Sequence, residues 1–168
     1  MNHQNIKILI NPMVFLIIFI SGAIFSYAQE QHDRSGWGIE NAYHKHYDVN
    51  KFETFKARVV KVKEVVPMAG MSPVVALEVR KDGHILEVQI CPSWFVRPEE
   101  IGIKKEDRVK IRGAPATING KKIFMASKIK KGDYFELKVR LTKDGKPLWT
   151  MTPEELFGEK EQENGDNW

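Results

Sequence analysis

Apolar and polar residues alternate with a period of two from Phe52 onward, and this pattern predicts β-strands. The first strand extends beyond Val62, and its apolar face switches partway along, which indicates a long strand that is bent or bulged. Residues 75–79 and 86–90 repeat the alternation on either side of Lys81-Asp82-Gly83, whose Asp-Gly pair favours a tight hairpin turn. The pattern therefore predicts a long first strand followed by a hairpin.

A second hairpin is predicted after an interruption of this pattern. Residues 91–105 carry prolines and bulky apolar side chains, which predict a short helix or turn outside the sheet. Residues 109–112 and 123–129 alternate again, and Asn119-Gly120 between them supplies a second hairpin turn. Residues 135–149 predict one further, C-terminal hairpin.

This order of elements is typical of a small barrel. Five core strands with a helical insert between the third and the fourth is the layout of an OB-type barrel, which a long first strand can close by pairing on both sides. We therefore expect an all-β, β-rich fold: an OB-like five-stranded barrel with a short helical insert between strands 3 and 4 and an extra C-terminal hairpin. An eight-stranded barrel or a small sandwich is the structural alternative.

The N-terminus has the composition of a secretory signal peptide. Lys7 supplies a positive start, residues 8–25 form a nearly charge-free apolar run, and Ser26-Tyr27-Ala28 ends it with small residues where a signal peptidase reads. We expect cleavage between Ala28 and Gln29 and a periplasmic or secreted protein without stable membrane insertion. An uncleaved membrane anchor is the alternative, because the run approaches the lower length limit for a spanning helix.

These observations divide the chain into four parts. A signal peptide at residues 1–28 is followed by a polar N-terminal arm at residues 29–50, an OB-fold domain at residues 51–150 and an acidic C-terminal tail at residues 151–168. The tail begins with Thr152-Pro153-Glu154-Glu155, a sequence that favours a helix start. Its last ten residues, from position 159, are polar and acidic, and we expect them to be disordered.

Charge and cysteine content restrict the function only weakly. The formal net charge is +4, with basic residues concentrated between positions 104 and 140. Such a face could attract phosphates or anionic lipid headgroups, although lysines on the wet side of strands also serve solubility and protect sheet edges. Cys91 is the single cysteine, so it is a buried thiol, a metal ligand or an intermolecular partner rather than half of an internal disulfide.

No sequence motif supports catalysis. The chain lacks a Gly-x-Ser-x-Gly motif, a His-Glu-x-x-His motif, a phosphate-binding loop and a Cys-x-x-Cys-His haem attachment motif. We therefore expect a protein that is not an enzyme.

Several segments, taken in order, resemble a family of small exported bacterial OB-fold proteins related to the domain of magnetosome-associated proteins, which are often labelled DNA-binding or uncharacterised. The residues that carry the resemblance are Tyr47-Asp48, Gly70-Met71-Ser72, and positions 88–95, 107–113, 129–133 and 141–149. The resemblance spans positions 36–149 and implies an OB fold. One departure is that Gln89-Ile90-Cys91 stands where such proteins usually have His-Leu-Gly.

A ligand or partner surface is expected at one end of the barrel. The residues assigned to it are Met68, Met71, Cys91, Trp94 and Phe95. Trp94 and Phe95 could form the wall of a cleft, or they could fill the open end of the barrel. The leading hypothesis is a non-enzymatic periplasmic binding or accessory module whose partner is another envelope protein. This module could also act in envelope metal or redox handling.

Two alternative functions use different residues. Met68, Met71, Cys91, His44 and His46 could bind Cu(I), because thioether and thiolate sulfur suit that ion; copper is the one cofactor that the sequence raises. The methionines could equally be an apolar plug. Lys122, Phe124, Lys128 and Lys130 could form a nucleic-acid-binding face. The export signal argues against this partner, because nucleic acid outside the cytoplasm is a rare specific target.

Overall fold

The computed structural model describes residues 36–162 of the 168-residue chain. The predicted signal peptide and its cleavage site lie outside the described residues, as do positions 163–168 of the tail. Within residues 36–162, no helix is long and apolar enough to cross a membrane.

Strands dominate the described residues, which confirms the all-β class. In chain order, the elements are α1 (Ala42–Lys45), a 3-10 helix (Val49–Lys51), β1 (Glu53–Val65), β2 (Val74–Lys81), β3 (His84–Pro92), β4 (Arg108–Ile118), β5 (Lys121–Lys131), β6 (Phe135–Lys138), a second 3-10 helix (Leu148–Thr150) and α2 (Pro153–Gln162).

The strands form one sheet in the order β3-β2-β1-β4-β5-β6, with an additional pairing of β3 with β5. That additional pairing is parallel and joins Val88 to Phe124 and Gln89 to Met125, whereas the other pairings are antiparallel. The pairings therefore run in a cycle, β1–β2–β3–β5–β4–β1. β1 completes it because residues 53–58 pair with β4 and residues 58–65 pair with β2, and a register shift after Val59 matches the predicted bulge.

Both predicted hairpin turns are present. Asp82 and Gly83 join β2 to β3 with φ angles of 50° and 83°, and Asn119 and Gly120 join β4 to β5 with 51° and 78°. Two successive residues with positive φ are what a type I′ turn requires, and Asp, Asn and Gly adopt them at the least cost. The local turn chemistry thus fixes the register of both hairpins.

The predicted helical insert and the C-terminal hairpin differ from the observed structure. Residues 93–107 were predicted to form a short helix or turn, and they form turns. Isolated hydrogen bonds, such as that from the Phe95 N–H to the Pro92 carbonyl (2.9 Å), are not continued into a helix. The last hairpin is reduced to one bridge between Arg140 and Pro147. Proline has no N–H to extend a ladder, so the chain turns there into the second 3-10 helix.

The tail begins with the predicted cap. The Glu155 N–H donates to Thr152 Oγ1 (3.3 Å) and the Thr152 N–H donates to Glu155 Oε2 (2.9 Å), which together form a capping box. Disorder was expected from residue 159, but the helix continues to Gln162.

Two apolar cores lie on opposite faces of the sheet. The main core comprises Phe55, Ala57, Val59, Val75, Leu77, Val79, Val88, Ile90, Cys91, Ile101, Ile103, Val109, Ile111, Phe124, Ala126, Ile129 and Val139. The second core comprises Trp37, Tyr43, Tyr47, Met71, Val74, Ala114, Ile118, Ile123 and Met125. Because its three aromatic residues come from positions 36–47, the N-terminal segment covers the face of the sheet that the main core leaves open.

Candidate functional site: an aromatic cleft

An aromatic cleft of about 400 Å³ lies beside the second core. Trp37, Trp94 and Trp149 form its walls, and Gly38, Ile39 and Thr150 complete the lining. Phe95 extends the aromatic surface, since its ring lies 6.2 Å from that of Trp94 and 6.0 Å from that of Trp149. Four aromatic side chains from three separate segments therefore meet at one place.

Hydrogen bonds fix two of these indoles in position. Trp37 Nε1–H donates to Ser72 Oγ (2.9 Å) and to the Ser72 carbonyl (3.1 Å), and Trp149 Nε1–H donates to the Trp37 carbonyl (3.1 Å). The Trp37 and Trp149 rings meet edge to face with centroids 5.8 Å apart. Because the polar atoms of both indoles are used internally, Trp37 and Trp149 offer only apolar ring surface to a ligand.

The open side of the cleft carries apolar surface into solvent. Phe95 is 36% exposed and Ile39 is 41% exposed. Phe95 is placed by the single turn that follows β3, and Ile39 by the turn that precedes α1. Exposed aromatic and aliphatic side chains around a rigid pocket are typical of the central residues of binding interfaces.

Arg140 is buried next to Trp149, one of the walls of the cleft. Its side chain is 1% exposed, and the guanidinium lies between the rings of Tyr47 (4.6 Å) and Trp149 (4.8 Å). Nη1–H donates to the Gly145 carbonyl (3.2 Å) and lies 2.9 Å from His44 Nδ1, while Nε has no hydrogen-bond partner in the described structure. Aromatic faces thus offset part of the cost of burying this cation.

A buried polar network connects the N-terminal segment to β3. Tyr43 Oη–H donates to Gln89 Oε1 (2.8 Å), and Gln89 Nε2–H donates to Glu87 Oε1 (3.0 Å). Lys63 (2.9 Å) and Lys121 (2.6 Å) both reach Glu87 Oε2. Burial alone would raise the pKa of Glu87, but the bonds from Lys121, Lys63 and Gln89 outweigh it and lower the pKa to about 2. Gln89, the residue at the departure from the resembled family, is therefore a structural link in this protein.

The predicted partner surface is assembled in part. Met68, Met71 and Trp94 all pack in or against the second core, and Phe95 contacts Trp94, whereas Cys91 lies in the main core. Cys91 is fully buried, and burial raises the pKa of its thiol to about 12 against the opposing effect of Arg140. The thiol is therefore protonated at neutral pH and is not part of the cleft surface.

The structure places the predicted copper ligands in different surroundings. Met71 is buried in the second core, and His44 Nδ1 faces Arg140. His46 lines a different groove, of about 710 Å³, together with Asp48 and Lys122. Across residues 36–162, no group of three or more His, Cys, Asp or Glu side chains is arranged to hold a metal ion.

The predicted stacking platform for nucleic acid is not at the surface. Phe124 is 2% exposed and packs edge to face on Phe55 (4.9 Å) in the main core. The prediction treated β5 as a strand with one wet face, but its central residues are buried on both faces because the second core covers the other side. Lys122 remains exposed, while Lys128 and Lys130 lie 3.3 and 3.1 Å from Glu136.

Sequence reasoning did not assign Trp37, Ile39, Trp149 and Arg140 to the site. Trp37 is 4% exposed, so its flanking glycines, which leave room for an exposed indole, are not a signal for its buried position. Arg140 lies between Val139 and Leu141, and that apolar setting could have suggested a buried cation.

Comparison with known proteins gives the family of the chain. The model of the MamS/MamX magnetosome protein family matches residues 51–136, just over half of the sequence. The chain belongs to the MamS/MamX magnetosome protein family. The match covers β1 to β5 and reaches into β6, whereas Trp37 and Trp149 of the cleft lie outside it.

The other comparisons add little information about this MamS/MamX family member. No curated protein matches the chain. Among solved structures, it is similar to a chain of a replication protein A heterotrimer bound to ssDNA, with 16% identity and a TM-score of 0.38. That similarity covers 50% of this chain and 60% of the other, and it is too remote to bear on fold or function.

Proposed function

We propose that this MamS/MamX family member is a non-enzymatic accessory module of the cell envelope that binds a partner protein through the aromatic cleft. The observation that carries the proposal is the cleft itself, where Trp37, Trp94, Phe95 and Trp149 converge around about 400 Å³ of open space. A pocket of this size accommodates one or two apolar side chains of a partner, and fixed indoles lose little entropy when they receive them.

The fold supports such a role. The cycle of pairings β1–β2–β3–β5–β4–β1, with its parallel β3–β5 contact, favours an OB-like barrel closed by the long β1. A barrel with a packed interior is a rigid support, and the cleft is attached to its outside by the second core. Rigid support keeps the aromatic residues in their binding positions before the partner arrives.

The cellular location is part of the same proposal. The composition of residues 1–28 favours export, which would place the cleft among envelope proteins. A role in envelope metal or redox handling has less support, because burial keeps the Cys91 thiol protonated and away from the cleft.

Site-specific photo-crosslinking in cells tests the proposal. A photoreactive benzoylphenylalanine replaces Phe95 or Ile39 in the full chain, and Tyr134, which is 102% exposed in the turn before β6, is the matched control position. We expect one discrete adduct at positions 95 and 39 and none at position 134. Mass spectrometry should locate the crosslink at an apolar side chain of the partner.

Two outcomes would contradict partner binding at the cleft. The first is an absence of adducts at both positions, and the second is the same set of adducts at position 134. Either would leave the cleft without a binding role.

A further inference from the structure

Six cations form two rows across neighbouring strands on one face of the sheet. Arg80, Arg58 and Arg108 lie directly opposite one another on β2, β1 and β4. Lys56, Lys110 and Lys130 form the adjacent row on β1, β4 and β5. We call these six residues the cationic face.

This arrangement opposes folding stability. Like charges directly opposite each other on paired strands repel, and neighbouring strands are only about 4.8 Å apart. Carboxylates screen part of the face, since Glu106 lies 3.4 Å from Arg58 and Glu136 lies 3.1 Å from Lys130. Within the described part of the chain, however, Lys56, Arg80 and Arg108 form no ion pair.

Edge protection does not account for these residues. Lysines guard strands with unpaired edges, but β1 is paired with β2 and β4, and β4 is paired with β1 and β5. The repulsive rows therefore lie on interior strands, where the sheet needs no guarding. Such a face is explained more directly by an anionic ligand.

The cationic face contains a groove that a ligand can reach. Five of its six members, all except Arg80, line an open depression of about 660 Å³. Ala57, Val109, Gly132 and Asp133 complete the lining.

We propose that the cationic face binds the phosphate groups of an anionic lipid surface. The cations form a two-dimensional array, about 10 Å across in each row, which matches a plane of headgroups better than a single phosphate or a linear nucleic-acid strand. The described residues that line the groove include no aromatic side chain, whereas single-stranded nucleic acid uses a succession of stacking rings. This inference goes beyond partner binding at the aromatic cleft and does not depend on it.

Vesicle partitioning of the full chain tests the proposal. The measured quantity is the ratio of the partition coefficient on phosphatidylglycerol-containing vesicles to that on neutral phosphatidylcholine vesicles, because the ratio cancels the contribution of the apolar residues 8–25. The test variant is Lys56→Gln/Arg108→Gln. The matched control is Lys45→Gln/Lys122→Gln, which removes the same charge from exposed residues lining a different groove.

Each removed cation should lower the ratio by about fivefold, so the test variant should lose about 25-fold. The control should change by less than about threefold, because screening weakens charges that are remote from the lipid surface. Thermal unfolding of both variants verifies that they are folded.

Three results would overturn the proposal. They are a ratio near one for the unaltered chain, equal losses in the two variants, and tight binding of single-stranded DNA or free phosphate without preference for anionic vesicles. The last would assign the cationic face to nucleic acid or to a small anion instead.

Discussion

At the residue scale, Arg140 connects the body of the protein to its candidate site. One buried guanidinium contacts the rings of Tyr47 and Trp149, the Gly145 carbonyl and His44. The Gly145 backbone can lie against the Tyr47 ring only because glycine has no side chain. An added Cβ would be 2.4 Å from that ring. The aromatic cleft therefore depends on contacts that no short motif encodes.

The contact between Arg140 and His44 predicts a pH dependence of stability. Burial lowers the pKa of His44, and Arg140 lowers it further, while Glu40 and Asp144 oppose the shift. A lowered folded pKa gives stability that is complete above the unfolded pKa of about 6.5 and is lost as the pH falls below it. Because the side chain is only half-buried, we expect a loss of at most about 1 kcal/mol between pH 7.5 and 5.5.

Urea unfolding at these two pH values measures the effect. His44→Gln should remove most of the pH-dependent loss, whereas His84→Gln, at an exposed position in β3, should leave it unchanged. An identical loss in the His44 variant and the unaltered chain would contradict the assigned role of this contact.

At the element scale, the strands were predictable and their surroundings were not. Asp82-Gly83 and Asn119-Gly120 determine their hairpins through local φ preferences, so sequence alone located them. The second core is different, because its aromatic residues come from a polar segment with no regular period. The sequence pattern did not predict that the second core covers β5. Phe124 was therefore expected to be exposed, although β5 is buried on both faces.

The polar network on β3 gives a prediction at this scale. Glu87→Gln removes the charge that Lys63 and Lys121 neutralise, and we expect it to destabilise the fold by about 1–3 kcal/mol at pH 7. Since the folded pKa of Glu87 is about 2, its contribution in the unaltered chain is present above pH 4.5 and is lost as the pH falls toward 2.

Urea titrations between pH 7 and pH 2 test this network. The Glu87 variant should lose less stability on acidification than the unaltered chain. Glu64→Gln, at an exposed position on β1, is the control and should behave like the unaltered chain. A Glu87 variant as stable as the control at pH 7 would contradict the account.

At the scale of the whole molecule, the MamS/MamX match contains only part of the aromatic cleft, including Trp94. The match covers residues 51–136, while Trp37 and Trp149 come from the segments on either side. The cleft therefore exists only if both flanking segments fold back on the strands.

Fluorine NMR of the full chain labelled with 5-fluorotryptophan tests this central claim most directly. Trp37 and Trp149 lie edge to face at 5.8 Å, so Trp149→Leu should shift the Trp37 resonance through loss of the ring current, whereas Tyr134→Leu should not. A Trp37 resonance at the position of free tryptophan, unchanged by Trp149→Leu, would show that the cleft is not assembled.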